Sequence, residues 1–354
     1  MENQLFARKL IEWYQINKRN LPWRHTTDPY QIWLSEIILQ QTRVVQGLPY
    51  YQAFTQKFPR VSNLAQAEEQ EVLRTWQGLG YYSRARNLHK CAKIICHQYG
   101  GQFPDNYAEL IKLPGIGPYT AAAIASFAFK EPKAVVDGNV YRVLSRFFGL
   151  QEDIASNSGQ KAFAKLAQTL INHEHPDLYN QGIMEFGALH CTPKSPACNN
   201  CMFIDNCVAF DQKLQNVLPI KSKKVKVRLR HFYYINVVQN DLLLMKKRVG
   251  NGIWEGLYDF YLHESSDPLD HQNITSEIDF LRSLGAKTKR IDLSKEYVHI
   301  LSHQKIKARF ITVYIQGVSA DIMVEERLKF YPLDEVHDLP KPVLISHYLN
   351  DTFF

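Results

Sequence analysis

The chain has 354 residues, enough for two or three domains that each bury a core, and 45% hydrophobic with 22% charged residues is typical of a folded protein. The net charge of +7 suits a polyanionic partner but does not identify one. No run of about 18 apolar residues occurs, which argues against a membrane span. Residues 1–20 are typical of an amphipathic helix and not of a signal peptide, so we expect a cytoplasmic protein.

The chain falls into two parts with different residue patterns. Up to residue 212 apolar residues recur at helical spacing, which predicts an all-α domain over residues 1–212. A basic stretch without helical period predicts a connector over residues 213–230, and the remainder, residues 231–354, is typical of an α+β domain. The strand candidates are residues 231–238, 242–248, 257–262 and 308–316, with a helix candidate at residues 274–284.

The first chemical signal is a single carboxyl group, Glu36, in the otherwise apolar helix predicted over residues 31–44. On a helical wheel Glu36 falls among apolar side chains, and Ser35 points the opposite way. We therefore expect Glu36 to face the interior, where desolvation raises the pKa of a carboxyl group and leaves it able to donate a proton near neutral pH. The alternative is a Glu36 side chain that reaches solvent or pairs with Arg43.

Further along, Gly115 and Gly117 stand directly before a predicted helix in the segment at residues 113–129. Both can adopt positive φ and let backbone N–H groups at a helix N-terminus approach a phosphate, although a plain glycine turn is also common there. Asp137 follows 20 residues after Gly117 and precedes another helical run. Its simplest interpretation is an N-cap or an Asp-Gly turn.

Four cysteines crowd into 17 residues, with six, two and five residues between them. In a reducing compartment such a loop indicates a metal centre and not disulfides. Zinc and an iron–sulfur cluster both accept four thiolates, so both stay open on spacing alone. The four residues are Cys191, Cys198, Cys201 and Cys207.

Taken together, the hairpin, the VDGNV segment around Asp137 and the four-cysteine loop occur in the order and at separations similar to those of the endonuclease III superfamily, and most resemble its MutY-type adenine DNA glycosylases. The resemblance implies a [4Fe–4S] cluster on the four cysteines. It also implies that Glu36 protonates adenine at N7, that Asp137 stabilises or traps the sugar, and that Tyr119 and Asn139 support them. Bifunctional relatives carry a lysine where this chain has Tyr119, so we expect a monofunctional enzyme.

The same resemblance predicts how DNA is held. Tyr81 is expected to stack on a base in the wedge that opens the duplex, with Arg84 and Arg86 meeting phosphates, although a packed helix edge is the plainer interpretation of such a segment. Gly115 and Gly117 would bind the DNA backbone. The remaining residues expected near DNA or the bases are Arg24, Gln41, Thr42, Leu79 and Gln181.

The C-terminal part resembles the Nudix-like domain that MutY-type enzymes use to sense 8-oxoguanine, but it lacks the acidic signature of active Nudix hydrolases. The family's Phe-Ser-His loop is matched here by Leu301, Ser302 and His303. Ser302 and His303 can hydrogen-bond a base edge, or they form an ordinary hairpin turn. Leucine at the first position removes a stacking surface.

We therefore predict an all-α helix–hairpin–helix glycosylase followed by an α+β Nudix-like domain. The predicted reaction is hydrolysis of adenine from double-stranded DNA containing A:8-oxoguanine or A:G mispairs, by a monomer that does not bind membranes. Two alternatives remain. An endonuclease III-like glycosylase/lyase for oxidised pyrimidines is disfavoured by Tyr119, and a non-catalytic, metal-stapled DNA-binding protein leaves Glu36 and Asp137 unexplained.

Overall fold

The structure is a computed structural model that describes residues 2–222, 227–250, 252–270, 274, 279–280, 288–316 and 327–354. Internal packing divides the chain into two compact units. We call Met1–Gln66 with Asn87–Lys223 the helical unit, and Ala67–Arg86 with Lys224–Phe354 the sheet unit. None of the described helices is both long and apolar enough to span a membrane.

The helical unit is built from amphipathic and buried helices joined by short turns. Helices α2 and α8 pack on each other, and α11 packs on α1, α8 and α9. Phe6, Leu144, Phe163 and Phe186 belong to one apolar core beneath these helices. The described helices of the chain as far as the cysteine loop are α1 (Glu2–Asn17), α2 (Pro29–Leu39), α3 (Val44–Lys57), α4 (Val61–Gln66), α5 (Glu69–Thr75), α6 (Ser83–Tyr99), α7 (Tyr107–Leu110), α8 (Pro118–Phe129), α9 (Gly138–Phe148), α10 (Asn157–Leu170) and α11 (Pro176–Leu189).

Local sequence explains where the two central helices begin. Proline occupies the first position of both α2 and α8, where its missing N–H costs no hydrogen bond. The Asp28 side chain caps α2 by accepting from the backbone N–H of Tyr30 at 3.0 Å. Helix α2 is buried on all sides: Ser35 is 1% exposed and donates to the carbonyl of Ile32 at 2.7 Å. The expectation that the Ser35 side of α2 points away from the interior is therefore wrong.

The cysteine loop follows α11 directly. It contains the 3-10 helices Cys198–Asn200 and Ile204–Asn206 and ends in α12 (Val208–Asp211). Arg146, a buried residue of α9, donates to the carbonyls of Thr192 at 2.7 Å and Gln215 at 2.6 Å. One buried guanidinium thus holds both ends of the loop.

The sheet unit contains a mixed sheet with the strand order β3-β2-β1-β7-β5. Strands β1 and β7 run parallel, with Arg228 opposite Gln304, and the other described pairs are antiparallel. In addition β4 pairs with β1, β6 with β7, and β8 with β2. The strands are β1 (Arg228–Gln239), β2 (Leu242–Lys247), β3 (Tyr258–Asp259), β4 (Tyr261–Ser265), β5 (Thr288–Leu293), β6 (Tyr297–Ile300), β7 (Gln304–Ile315) and β8 (Lys329–Pro332).

Helices α13 (Leu333–Asp338) and α14 (Val343–Thr352) complete the described part of this unit, and α5 belongs to it as well. All four predicted strand segments coincide with observed strands, while β5, β6 and β8 come in addition to them. The helix expected over residues 274–284 lies outside the described residues, apart from Ile274, Asp279 and Phe280. The predicted domain limits at residues 212 and 231 stay predictions.

Candidate active site and DNA-binding elements

Glu36 is buried inside the helical unit, as predicted, and is 8% exposed. Burial raises its pKa to about 7, and the negative charge of Asp137 acts in the same direction. A hydrogen bond from Tyr119 and the charge of Arg24 oppose this rise. The group is therefore divided between its acid and its anion near neutral pH, which is the state that a proton donor needs.

Tyr119 lies in the first turn of α8, with its hydroxyl group beside Glu36. Burial raises the pKa of this phenol well above its ordinary value, and the charges of Glu36 and Asp137 add to the effect. The hydroxyl also lies 3.9 Å from the sulfur of Met184. Tyr119 therefore stays protonated and can only donate to the carboxylate, which fixes the orientation of Glu36.

Asp137 caps the N-terminus of α9, as the sequence indicated. Its Oδ1 accepts from the backbone N–H groups of Asn139 at 2.9 Å and Val140 at 2.8 Å, and its Oδ2 accepts from the Asn139 side chain at 2.7 Å. Burial raises the pKa of Asp137 above its ordinary value, and these hydrogen bonds and the charge of Arg142 oppose the rise. Three donors at a helix N-terminus favour the anion, so the two carboxyl groups of the site have different environments.

Arg142 joins this site to the cysteine loop. Its guanidinium donates to Asn139 Oδ1 at 2.8 Å, to the carbonyl of Gly187 at 2.6 Å and to the carbonyl of Cys191 at 2.7 Å. Asn139 is thereby held on both sides, by Asp137 and by Arg142. Sequence reasoning missed Arg142, although its spacing of one helical turn from Asn139 could have indicated the contact.

A second missed group is Glu185, which is 1% exposed on α11. Although burial raises its pKa, hydrogen bonds from Arg24 and Arg19 bring the pKa down to about 2. Arg24 donates to both of its carboxylate oxygens, at 2.7 and 2.6 Å. Arg24, which is expected to contact adenine, is thus held in place by the Glu185 carboxylate. The signal that could have indicated Glu185 is an acid placed between apolar residues in the second half of α11.

Gln181, the other residue expected near adenine, accepts a hydrogen bond from the buried hydroxyl of Tyr14 at 2.7 Å. The ring of Tyr14 in turn lies 5.5 Å from the guanidinium carbon of Arg24. Arg24 and Gln181 therefore share the neighbour Tyr14, and Arg24 is close enough to Glu36 for their charges to interact. The structure brings Arg24, Glu36, Tyr119 and Asp137 together in one buried polar cluster.

The turns expected to meet DNA have distinct geometries. Gly115 has φ +78, and a Cβ there would lie 2.8 Å from Asn87 Cβ, so glycine is required. Gly117 has φ −90, so the expectation of positive φ is wrong there, but open space surrounds it at the N-terminus of α8. After α2, Gln41 is exposed with φ +54, and the Thr42 hydroxyl donates to the carbonyl of Gln40 at 3.3 Å.

The four cysteines are half-buried free thiols. Burial raises the pKa values of Cys198, Cys201 and Cys207, and the charge of Cys191 raises each of them further. All four thiols are therefore near neighbours, although no group of three or more His, Cys, Asp or Glu side chains in the described part of the chain lies close enough to bind one metal ion. Arg146 donates to Cys191 Sγ at 3.4 Å.

In the sheet unit the residues expected to sense the opposite base line a single cavity of about 350 Å³. The hydroxyl groups of Tyr81 and Ser302 are hydrogen-bonded to each other there. Leu79 is buried, and Tyr81 is 43% exposed with φ +48. The predicted residues on the wall are Leu79, Tyr81, Leu301, Ser302 and His303, and Trp254 and Ile300 add apolar surface.

The two arginines expected to meet phosphates are engaged within the sheet unit. The guanidinium of Arg84 lies over the rings of Trp76 and Tyr81, 5.0 and 5.7 Å from their centres. Arg86 instead pairs with Glu255 at 2.8 Å. In this structure both guanidinium groups therefore contact other residues of the sheet unit.

A glycine hairpin, a buried acid and an aspartate at a helix N-terminus are the features that the sequence predicts for a base-excision DNA glycosylase. Residues 34–170 match the HhH-GPD superfamily of base excision DNA repair proteins, and residues 233–351 match the NUDIX domain. The chain belongs to the adenine DNA glycosylase family. It is similar to the adenine DNA glycosylase of Buchnera aphidicola subsp. Schizaphis graminum, with 32% identity over 96% of each chain.

Three further proteins are similar to this chain. The human adenine DNA glycosylase is 41% identical over 60% of this chain and 41% of its own length. Among solved structures, a thermostable thymine-DNA glycosylase is similar with a TM-score of 0.54 and 30% identity, over 59% of this chain and 97% of that one. An endonuclease III–DNA complex shares the fold, with a TM-score of 0.51 and 22% identity over 60% and 98% of the two chains.

The family assignment confirms the predicted fold class and the prediction of a glycosylase that removes adenine from DNA. It therefore favours this reading over both alternatives drawn from the sequence, an endonuclease III-like enzyme for oxidised pyrimidines and a non-catalytic binder.

Proposed function

We propose that this enzyme hydrolyses adenine from A:8-oxoguanine and A:G mispairs without cleaving the DNA strand. The observation that carries the proposed chemistry is the pairing of Glu36, whose pKa is about 7, with Asp137, which three hydrogen bonds favour as an anion. Two carboxyl groups with different protonation states are what glycosidic bond cleavage requires.

In the proposed reaction the protonated Glu36 donates its proton to N7 of the extruded adenine as the N-glycosidic bond breaks. The bonding electrons leave with the base, and the sugar develops positive charge. Asp137 stabilises this charge as an ion or by a transient ester bond. Water then adds to C1′ of the sugar, which breaks any ester bond and frees Asp137, and gives its proton to the Glu36 carboxylate. The products are an abasic site and free adenine.

Recognition of the opposite base is proposed for the cavity in the sheet unit. Its polar groups, Ser302 and His303, can hydrogen-bond a base edge, and its apolar wall can pack on a base face. The stacking surface that phenylalanine supplies in MutY-type enzymes is missing here, because Leu301 occupies that position. Ile300 and Trp254 supply apolar surface in the same cavity.

Single-turnover release of adenine from A:8-oxoguanine, A:G and A:T duplexes, with thymine glycol as a fourth substrate, tests this proposal. We expect release from the first two only. Because each base-edge hydrogen bond discriminates by about 1–3 kcal/mol, Ser302→Ala/His303→Ala is expected to reduce the preference for 8-oxoguanine over guanine by about tenfold or more. An unchanged ratio would remove these residues from lesion recognition.

Because Tyr119 stands where bifunctional relatives carry a lysine, we predict that the enzyme has little or no lyase activity. A lyase forms a Schiff base between an amine and the sugar, which borohydride reduces to a stable protein–DNA adduct. The described site presents a phenol here, and Lys130, at the other end of α8, is paired with Asp177. We expect little adduct after borohydride treatment during turnover. An efficient adduct that persists in Tyr119→Phe would contradict the assignment.

The four cysteines are proposed to hold a [4Fe–4S] cluster. Neighbouring, partly buried thiols with Arg146 directed at one of them suit a group that binds thiolates. Four thiolates can hold either a [4Fe–4S] cluster or a zinc ion, and the resemblance of the cysteine spacing to the endonuclease III superfamily favours the cluster. When bound, the cluster would order the loop that Arg142 and Arg146 contact. Iron, sulfide and zinc analysis of the purified protein distinguishes the two metals.

The remaining site assignments are proposals of the same kind. Gly115 and Gly117 would let DNA phosphates approach the N-terminus of α8, while Gln41 and Thr42 would enter the opened duplex. Arg24 and Gln181 would border the adenine pocket. The enzyme is proposed to act as a monomer on double-stranded DNA in the cytoplasm, with no membrane partner.

A further inference from the structure

The turn Gly78–Tyr81 lies far from the Nudix-like domain in sequence but belongs to the same compact unit, because residues 67–86 pack with it. This turn carries Leu79 and Tyr81, which the resemblance to MutY-type enzymes places at the wedge that opens the duplex. Contacts to the Nudix-like domain flank it on both sides. They form two tethers, one at Gln77 and one at Arg86.

Gln77 makes the first tether at the start of the turn. Its Oε1 accepts from the backbone N–H of Lys341 at 3.1 Å, and its Nε2 donates to Ser346 Oγ at 3.3 Å. Lys341 is itself immobilised, since it is 3% exposed and its ammonium group donates to the carbonyls of His337 at 3.1 Å and Leu339 at 2.7 Å. Gln77 is therefore attached to a rigid point at the start of α14.

Arg86 makes the second tether after the turn. Its Nη1 donates to the carbonyl of Glu255 at 2.6 Å, and its Nη2 pairs with the Glu255 carboxylate at 2.8 Å. The two side chains are only 21% and 33% exposed, so solvent screens the pair incompletely. Close by, the backbone at Gly256 lies against Leu73 of α5. The charge of Arg86 is thus already satisfied within the protein.

Between the tethers the turn is held in an unusual conformation. Tyr81 has φ +48, a region that few residues other than glycine adopt. The Trp76 indole donates to the carbonyl of Gly80 at 3.0 Å, and Arg84 donates to the carbonyls of Leu79 and Gly80 at 3.3 Å. The turn is therefore preformed, and it is attached to the Nudix-like domain at both ends and through the hydrogen bond between Tyr81 and Ser302.

We propose that Gln77 and Glu255 are positioning residues that anchor the turn to the Nudix-like domain, so that this domain takes part in extruding adenine as well as in reading the opposite base. The inference rests on the proposed function, because it assumes that Leu79 and Tyr81 open the duplex. Extrusion must overcome the stacking and pairing of the base. A turn that moves when it meets the stack is less able to open the duplex than a turn that is held in place.

The test compares Gln77→Ala/Glu255→Ala with the matched control Glu69→Ala. Glu69 lies in the same segment and also joins it to the Nudix-like domain, by pairing with Lys247 at 3.4 Å, but it belongs to α5 and not to the residues that flank the turn. Both sets are placed in a Glu36→Gln background and mixed with a duplex that carries 2-aminopurine opposite 8-oxoguanine, whose fluorescence rises when the base leaves the stack. The loss of three side-chain hydrogen bonds to the Nudix-like domain should slow extrusion about tenfold or more in the double variant, and the control should match its parent.

A second readout separates positioning from general damage. With Glu36 restored, the double variant should release adenine about tenfold more slowly from an intact mispaired duplex. It should lose less than about twofold on a substrate whose adenine lies in an unpaired bubble, where no wedge is needed. If the double variant unfolds, Glu255→Ala alone is judged by the same two measurements.

The possible results distinguish a failure of this inference from a failure of the proposed function. Extrusion as fast as in the Glu69→Ala control, or equal losses on the duplex and the bubble, would overturn the inference. A parent enzyme that releases no adenine from any duplex would contradict the proposed function instead. In that case the fluorescence experiment, which needs no cleavage, still decides whether the tethers matter for extrusion.

Discussion

Glu36→Gln is expected to slow adenine release by about a hundredfold to ten-thousandfold, the usual contribution of a general acid. The amide has nearly the same shape but cannot transfer a proton to the base. Single-turnover rates on an A:8-oxoguanine duplex measure the effect. Ser35→Ala, a neighbouring buried position on α2 whose hydroxyl contacts only Ile32 in the described structure, is the matched control. Release by Glu36→Gln at the parental rate would remove Glu36 from the chemistry.

The same carboxyl group predicts the pH profile. Because the pKa of Glu36 is about 7, its acid form predominates below that pH and falls about tenfold per unit above it. The parental rate should therefore decline as the pH rises through 7, while the residual rate of Glu36→Gln should not follow this decline. A parental profile that is flat from pH 6 to about 9 would contradict the role.

Glu36→Gln should lower the rate of adenine release but raise the stability of the fold. A raised carboxyl pKa means that the folded state binds the proton more tightly, so stability is lost as the pH rises from about 4.5 to about 7. Glu36→Gln removes this penalty and should stabilise the protein by up to about 3 kcal/mol at pH 8, less the weakened Tyr119 hydrogen bond. Thermal unfolding at pH 5 and pH 8 would show the difference.

Asp137→Asn is expected to lower the rate by about a thousandfold or more, because the developing sugar cation loses its counter-charge. Asparagine caps a helix about as well as aspartate, so α9 should remain folded. The variant therefore separates charge from structure. Unfolding curves of Asp137→Asn and of Ser156→Ala, which removes the cap of α10, show how much a lost cap would cost. Parental activity in Asp137→Asn would instead indicate a purely structural aspartate.

Features governed by local spacing were predictable from the sequence. The burial of Glu36, the cap at Asp137 and the main strands all follow from periodicity and residue type. Short strands such as β6 were not predicted. Its apolar residues Val298 and Ile300 are exposed, and four residues are too few for a clear strand pattern. The ordinary φ of Gly117 was also not predictable, since glycine permits that conformation as readily as the left-handed one.

Long-range pairing was beyond local reasoning. Arg24 and Glu185 are separated by 161 positions, and their ion pair depends on how α11 packs. The expected phosphate contact of Arg86 gave way to Glu255 for the same reason, because nothing near Arg86 in sequence indicates a partner 169 residues away. Residue type predicted that these side chains would be charged and important, but not which group they would meet.

The discontinuous course of the chain through its two compact units also affects how the protein is synthesised. On the ribosome, the segment at residues 67–86 gains its neighbours in the Nudix-like domain only after Gly256 and Lys341 have emerged. Until then the side of Leu73 that packs on Gly256 is uncovered. A nascent chain, or one terminated near residue 223, would thus expose this apolar side chain and be prone to aggregation.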